Sequence, residues 1–228
     1  MSLSQNFLIN ESVIEQFIDA TDISKDDHIL EIGPGAGAVT EQILKKTQNL
    51  TSIELDLNFA NSLQKRFPTI KTFEANALEF NYTQLTSPLK VISNLPYSKA
   101  ADIIKKLIRL HPQITTLTII IQKEMADTIC AQPNNKIYGP FTLECQLFAR
   151  ARYLFTIPAS SFYPAPKIES AAIQLTTKQP EYDLKILPFI YQAFVHRRKM
   201  VRKFIGDVEG IPENARAENL TLEQFAQA

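Results

Sequence analysis

Apolar residues follow two rhythms along this chain. Short, nearly continuous apolar runs have strand length: HILEI (28–32), LTSIEL (50–55), IKTFEA (70–75), KVIS (90–93) and ITTLTIIIQ (114–122). Between them apolar residues recur at helical spacing, which predicts helices over 11–20, 38–46, 58–66 and 99–110. Helices over 123–130 and 140–149 follow, then strands near 152–157 and 168–176. Strands alternating with helices predict a mostly parallel sheet covered on both faces. The last two strands have no full helix between them and predict an antiparallel hairpin added at one edge. From about residue 183 the pattern turns helical, with a helix expected through YQAFVHRRKMVRKF (191–204) and shorter pieces after Gly206. The expected organisation is an α/β domain over 1–180 followed by a small helical appendage over 181–228.

Two interruptions carry chemistry. In LEIGPGAGAVT (30–40), Gly33 and Gly35 allow a tight turn and close approach of a ligand, and the following helix offers free amide donors. Glu54 falls 21 residues beyond Gly33, where a carboxylate that binds a ribose diol belongs. This loop by itself does not separate a nicotinamide cofactor from S-adenosylmethionine, and a glycine turn without a ligand is the plainer alternative. The second interruption is VISNLPYSKA (91–100), where a buried strand ends in Asn94, Leu95, Pro96 and Tyr97. Asparagine at a strand's C-terminal end offers a side-chain carbonyl where open α/β sheets bind ligands. Pro96 stiffens the turn, the Leu95 carbonyl faces a proline nitrogen that cannot donate, and Tyr97 offers a stacking surface. Two acceptors and a ring describe a socket for an aromatic exocyclic amine. The bland alternative is a turn around a buried tyrosine.

Composition narrows the classes. The 228 residues are 45% hydrophobic and 21% charged, an ordinary globular balance. Two cysteines, Cys130 and Cys145, make no disulfide framework, and a reduced cytoplasmic setting is expected. The three histidines are scattered, so no metal site is expected. The first residues lack the basic and apolar regions of a signal peptide, and no apolar run has transmembrane length. Net charge is zero but unevenly spread. Ten acids stand against three lysines between residues 10 and 64, and eight bases against three acids between 167 and 203. Any polyanion is therefore expected on the C-terminal side.

EIGPGAGAVT, IELD (53–56), NLPY, QKE (122–124), KIYGPFTLECQ (136–146), SSFYPAPKIESAAIQL (160–175), AFVHRRKMVRK (193–203) and RAENLTLEQF (216–225), together with QNFL (5–8), resemble the bacterial rRNA adenine N6,N6-dimethyltransferases across the whole chain. The small-subunit, 16S rRNA branch is favoured by AFVHRRKMVRK and RAENL. The resemblance implies a class I S-adenosylmethionine-dependent methyltransferase fold, Rossmann-like with a mostly parallel seven-stranded sheet. It also implies a monomeric enzyme without metal that dimethylates two adjacent adenosines near the 3′ end of 16S rRNA in the small ribosomal subunit or its precursor. By similarity, Gln5, Asn6 and Leu8 close over the cofactor, Gly33 and Gly35 flank its methionine part, Glu54 takes the ribose, and Asn76 takes the adenine amine. Asn94 and Leu95 would hold the target amine, Pro96 and Tyr97 shape its socket, and Phe162 would be a second aromatic wall; a core aromatic is the plainer reading of Phe162. Arg197, Arg198, Lys199, Arg202 and Lys203 would contact RNA phosphate, or else form an ordinary solvated helix face.

The sequence departs from the family in three ways. Asn76 stands where the family has aspartate, Ser4 replaces a glycine in a stretch that is usually basic, and the C-terminal helical region is short. Competing readings are a 23S rRNA methyltransferase of the macrolide-resistance type, another adenosyl-dependent enzyme, an assembly factor with little catalysis, and a nicotinamide oxidoreductase.

Overall fold

The computed structural model describes residues 6–206, 208 and 210–227, without the side chains of 204 and 205. Gln5 and Ser4 therefore lie outside the described residues. From the N-terminus the first elements are β1 (Phe7–Leu8), α1 (Glu11–Asp19), β2 (His28–Ile32), α2 (Ala38–Leu44), β3 (Leu50–Glu54), α3 (Leu57–Arg66), β4 (Lys71–Glu74), β5 (Leu89–Asn94), α4 (Ala100–Ile108) and β6 (Ile114–Gln122). They are followed by α5 (Lys123–Ile129), α6 (Pro140–Phe148), β7 (Ala149–Ile157), β8 (Phe162–Tyr163), β9 (Ser170–Thr177), α7 (Ile186–Val195), α8 (Arg202–Ile205) and α9 (Leu222–Gln227). Helix starts are written locally. Asn10 caps α1 by accepting from Val13 N, Asp56 caps α3 by accepting from Asn58 N, and Pro140 opens α6 where its missing N–H costs nothing.

The apolar runs assemble into one seven-stranded sheet of order β4-β3-β2-β5-β6-β9-β7. All neighbours pair in parallel except β9, which is antiparallel to both β6 and β7. The expected late hairpin is present, and its second strand, β9, is the one that joins the sheet. The near-continuous apolar character of the strands follows from burial on both faces. Val91, Ile119 and Ile121 pack with α4 and α6 on one side, whereas Ile92 and Ile120 pack with α1, α2 and α3 on the other.

The helix expected over 191–204 is not continuous. α7 ends at Val195, and the chain breaks out of the helix at His196 before resuming at Arg202. Tertiary pairing overrides helical propensity here: Val201 N donates to Ala215 O at 2.9 Å, and Met200 bridges Arg216. Val201 is buried as a result, in the same apolar cluster as Ile190, Leu220 and Phe225. That cluster is continuous with the sheet's core through α6, and Tyr138 Oη donates to Leu220 O at 2.9 Å. The C-terminal helices are thus seated on the α/β layer.

Candidate active site

β2 lies between β3 and β5, so the chain's crossovers diverge at its C-terminal end and leave a crevice there. Three segments meet at this crevice. The glycine loop leaves β2 with Gly33 and Gly35 at φ of 66° and 54°, conformations that side-chain-bearing residues rarely adopt. Gly35 N donates to Glu54 Oε2 at 3.0 Å, and Asp56 N donates to Glu54 Oε1 at 3.0 Å. Glu54 is 3% exposed and ties the loop to the tip of β3, and its carboxylate retains lone pairs for further donors. A Cβ on Gly33 would lie 3.8 Å from Pro96 Cδ, so the loop and the NLPY turn are neighbours.

Asn94 ends β5 with its side chain half-buried. Its Nδ2 donates to Asn6 O at 3.3 Å. A backbone carbonyl only accepts, so this bond fixes the amide's orientation and leaves Oδ1 on the other side. That oxygen is buried and has no hydrogen-bond partner among the described residues. Leaving such an atom unmatched costs about 1–3 kcal/mol, and native structures rarely do so without a ligand or water to match it. Leu95 is buried, with its N–H on Ile120 O at 3.1 Å. The half-buried Tyr97 is anchored at its hydroxyl by Ser170 Oγ, 2.6 Å away, and burial raises its pKa, which keeps the phenol neutral.

The N-terminal motif reaches this crevice through a two-stranded ribbon. β1 pairs antiparallel with β8, Phe7 opposite Tyr163 and Leu8 opposite Phe162. Asn6 Nδ2 donates to Pro164 O at 2.6 Å while Asn6 O takes the Asn94 amide, so Asn6 clamps the SSFYPAPK loop to the NLPY turn. Leu8 and Phe162, 3% and 2% exposed, point into the apolar cluster with Ile14, Phe17 and Ile157. Phe7 points the other way, against Gly35, where a Cβ would meet its ring at 3.0 Å, and against Phe59 at a centroid distance of 5.5 Å.

Asn76 follows β4 with its amide oriented by neighbours: Oδ1 accepts from Leu78 N and Nδ2 donates to Glu79 Oε1, both at 3.0 Å. The basic run is divided. Arg197 turns inward, its Nε on Glu218 at 2.6 Å and its NH2 on the carbonyls of Asn135 and Lys136. Arg198, Lys199, Arg202 and Lys203 are exposed, Arg202 pairing with Glu213 at 2.9 Å.

Residues missed from the sequence include Glu31 and Phe7. Glu31 is 1% exposed beneath the glycine loop, accepts from Thr40 Oγ1 at 2.6 Å, and is pushed up to about 8 by burial and by the nearby Glu54 charge. Its signal was an acid inside an apolar strand. Phe7 lies within QNFL but gave no periodic signal, because a two-residue strand has no period. Among the described residues no three His, Cys, Asp or Glu side chains are grouped to hold a metal, and no helix is long and apolar enough to cross a membrane.

Comparison with known proteins agrees with this geometry. Among solved structures, a dimethyladenosine transferase from Plasmodium falciparum shares the fold with a TM-score of 0.83 at 21% identity, covering 97% of this chain and 95% of that one. The 23S rRNA methyltransferase ErmE follows with a TM-score of 0.74 at 22% identity, covering 97% of each chain. The fold is that of the class I methyltransferases. In sequence, the chain is 36% identical to the ribosomal RNA small subunit methyltransferase A of Borrelia garinii, over 98% of this chain and 85% of that protein. It is 34% identical to the protein of that name from Acinetobacter baylyi, over 97% and 88%. The profile described as ribosomal RNA adenine dimethylase matches residues 1–227, and the chain belongs to that family of methyltransferases.

Proposed function

We propose that this chain uses S-adenosyl-L-methionine to dimethylate N6 of two adjacent adenosines near the 3′ end of 16S rRNA, acting as a cytoplasmic monomer on the small ribosomal subunit or its precursor. The observation that carries this reading is the Oδ1 of Asn94 beside the glycine loop, buried and unmatched among the described residues. An oxygen held in that position asks for an N–H donor, and the exocyclic amine of adenine is one. The curated relatives, named for the small subunit, favour 16S over 23S rRNA.

The residues present fit the cofactor: a glycine turn that Phe7 covers on one side, the carboxylate of Glu54 for the ribose hydroxyls, and the Asn76 amide for the adenine amine. Bound there, S-adenosylmethionine supplies a methyl group already activated by its sulfonium. The chain's own task is alignment. Asn94 Oδ1 and the Leu95 carbonyl accept from the target amine, drawing its nitrogen toward pyramidal geometry and favouring the positive charge that grows on it during attack. Tyr97 supports the base by stacking, its ring steadied by Ser170. Pro96 stiffens the turn, Asn6 holds Asn94 in its orientation, and Leu8 and Phe162 form the apolar floor that seats the ribbon. The exposed Arg198, Lys199, Arg202 and Lys203 meet RNA phosphates, while Arg197 holds the C-terminal helices in place.

The test is incubation with methyl-labelled S-adenosylmethionine and unmethylated small ribosomal subunits, followed by RNA digestion and mass spectrometry. Dimethyladenosine at two neighbouring positions near the 3′ end is expected. Label confined to 23S rRNA when large subunits are offered, or no transfer to either subunit, would overturn the reading.

A further inference from the structure

Tyr163 is a large aromatic residue that the fold leaves in solvent. It is 70% exposed, and among the described residues its side chain makes no hydrogen bond or ring contact. Its position is nevertheless fixed. Directly opposed residues of an antiparallel pair project from the same face, and successive residues project from opposite faces. Tyr163 is opposite Phe7, so it shares the face on which Phe7 covers the glycine loop, whereas its neighbour Phe162 points into the core with Leu8. The next residue, Pro164, accepts from the Asn6 side chain that clamps the ribbon to Asn94. The exposed aromatic ring is thus carried at the mouth of the crevice on a backbone tied to the reacting turn.

Its surroundings are also unusual. Among the described residues, four of the eight exposed large hydrophobic side chains belong to segments that form this crevice: Ile9 just after β1, Tyr163 on β8, and Leu55 and Leu57 just after the tip of β3. Single exposed apolar side chains need no explanation, but a group rimming a polar crevice marks a binding surface.

We propose that Tyr163 stacks on the RNA base next to the target adenosine. The proposal rests on the reading that the chain methylates adenosine in RNA. Extruding one base strips its neighbours of a stacking partner, and a flat ring at the rim replaces what they lose. Tyr97 lies inside the crevice for the target itself; Tyr163, on the outer face of the ribbon, is placed for the base that stays outside. Stacking of this kind accepts any base, so Tyr163 contributes to RNA affinity and leaves sequence choice to other contacts.

The experiment compares wild type, Tyr163→Phe and Tyr163→Ala in steady-state methylation of unmethylated small subunits, with calorimetric titration of S-adenosylhomocysteine and thermal unfolding alongside. Tyr163→Ala should raise KM for subunits about tenfold or more, the range of one missing base stack, with kcat, unfolding temperature and S-adenosylhomocysteine affinity close to wild type. Tyr163→Phe should restore wild-type KM, since the ring does the stacking. A KM for Tyr163→Ala within twofold of wild type overturns the proposal. So does Tyr163→Phe failing as badly as the alanine, which would mark a hydroxyl contact, or a loss confined to S-adenosylhomocysteine affinity. In each of those cases the methyltransferase reading stands; absence of methyl transfer by the wild type would overturn both.

Discussion

Replacing Asn94 by alanine should separate catalysis from stability, because the fold holds this side chain at a local loss. Among the described residues its Oδ1 is buried without a partner, a state that costs about 1–3 kcal/mol, while its side-chain bond, Nδ2 to Asn6 O at 3.3 Å, contributes about 0.5–1.5 kcal/mol. Truncation removes both, and the two contributions oppose each other. The unfolding free energy of Asn94→Ala should therefore stay within about 1 kcal/mol of wild type or rise slightly, well away from the cost of an ordinary buried truncation. Activity should behave differently. Losing one preorganised group aimed at developing charge lowers kcat by about 10²–10³-fold, and S-adenosylhomocysteine binding should change far less than kcat. Asn94→Asp adds a control: it keeps an acceptor but turns a second oxygen toward the Asn6 carbonyl, so it should loosen the N-terminal clamp more than alanine, which only removes the bond. Urea unfolding, single-turnover methyl transfer and calorimetric titration measure the three quantities. A stability loss above about 2 kcal/mol for Asn94→Ala, or a cofactor affinity that falls as far as kcat, would show that Asn94 is a structural residue and refute the argument.

Three further outcomes are expected. Glu31 is held up at about 8 by burial, so the folded protein binds its proton more tightly than the unfolded chain does, and this contribution to stability is present at acid pH and lost as pH rises from about 4.5 to about 8. Glu31→Gln should flatten that fall in urea midpoints measured between pH 5 and 8.5; an unchanged pH profile would mean the carboxyl is already ionised. Glu144 is 3% exposed and joins α4, α6 and α7 through Lys105, Arg109 and Tyr191, so Glu144→Ala should destabilise by about 1–3 kcal/mol, below the full cost of breaking a buried pair because both cations are about a third exposed. Arg197→Ala should lower the unfolding temperature and leave the salt dependence of RNA binding alone, whereas neutralising Arg198, Lys199 and Lys203 should flatten that dependence by roughly 0.7–0.9 in log–log slope for each RNA phosphate left without its cation.

What could be read in advance was whatever depends on local pattern. The strands of the sheet, the glycine loop, Glu54 and the Asn94 turn were all legible, because doubly buried strands are apolar throughout and ligands of open α/β sheets sit where such strands end. The β1–β8 ribbon was not, since Leu8 and Phe162 are brought together only by the folded sheet and two-residue strands leave no periodic trace. The division of the basic run was equally hidden. AFVHRRKMVRK has the composition of one continuous cationic helix, and the pairing of Val201 with Ala215 and of Met200 with Arg216 breaks it, while Arg197 turns inward onto Glu218. Charge composition reports how many cations a segment carries; which of them meet solvent depends on the partner that ends the helix.

The ribbon also changes how the site is understood. The orientation of Asn94 is set by the carbonyl of Asn6, and Asn6 is itself held by Pro164. The Asn94 acceptor, proposed to meet the target amine, is therefore positioned from both ends of the domain, by a segment before the first helix and by the loop before β9. Phe7 of the same strand packs on the Gly35 turn. One short strand thus touches both the glycine loop and the Asn94 turn, so its docking links the two: when it is displaced, Asn94 loses its orienting bond and the glycine loop loses its cover together. If the proposed function holds, a crevice that admits a fresh cofactor between two successive methylations needs such a joint element, because an amine held in place against an unaligned methyl donor gains nothing. Under the proposed function, the N-terminal strand is a positioning element of the site even though its side chains perform no chemical step.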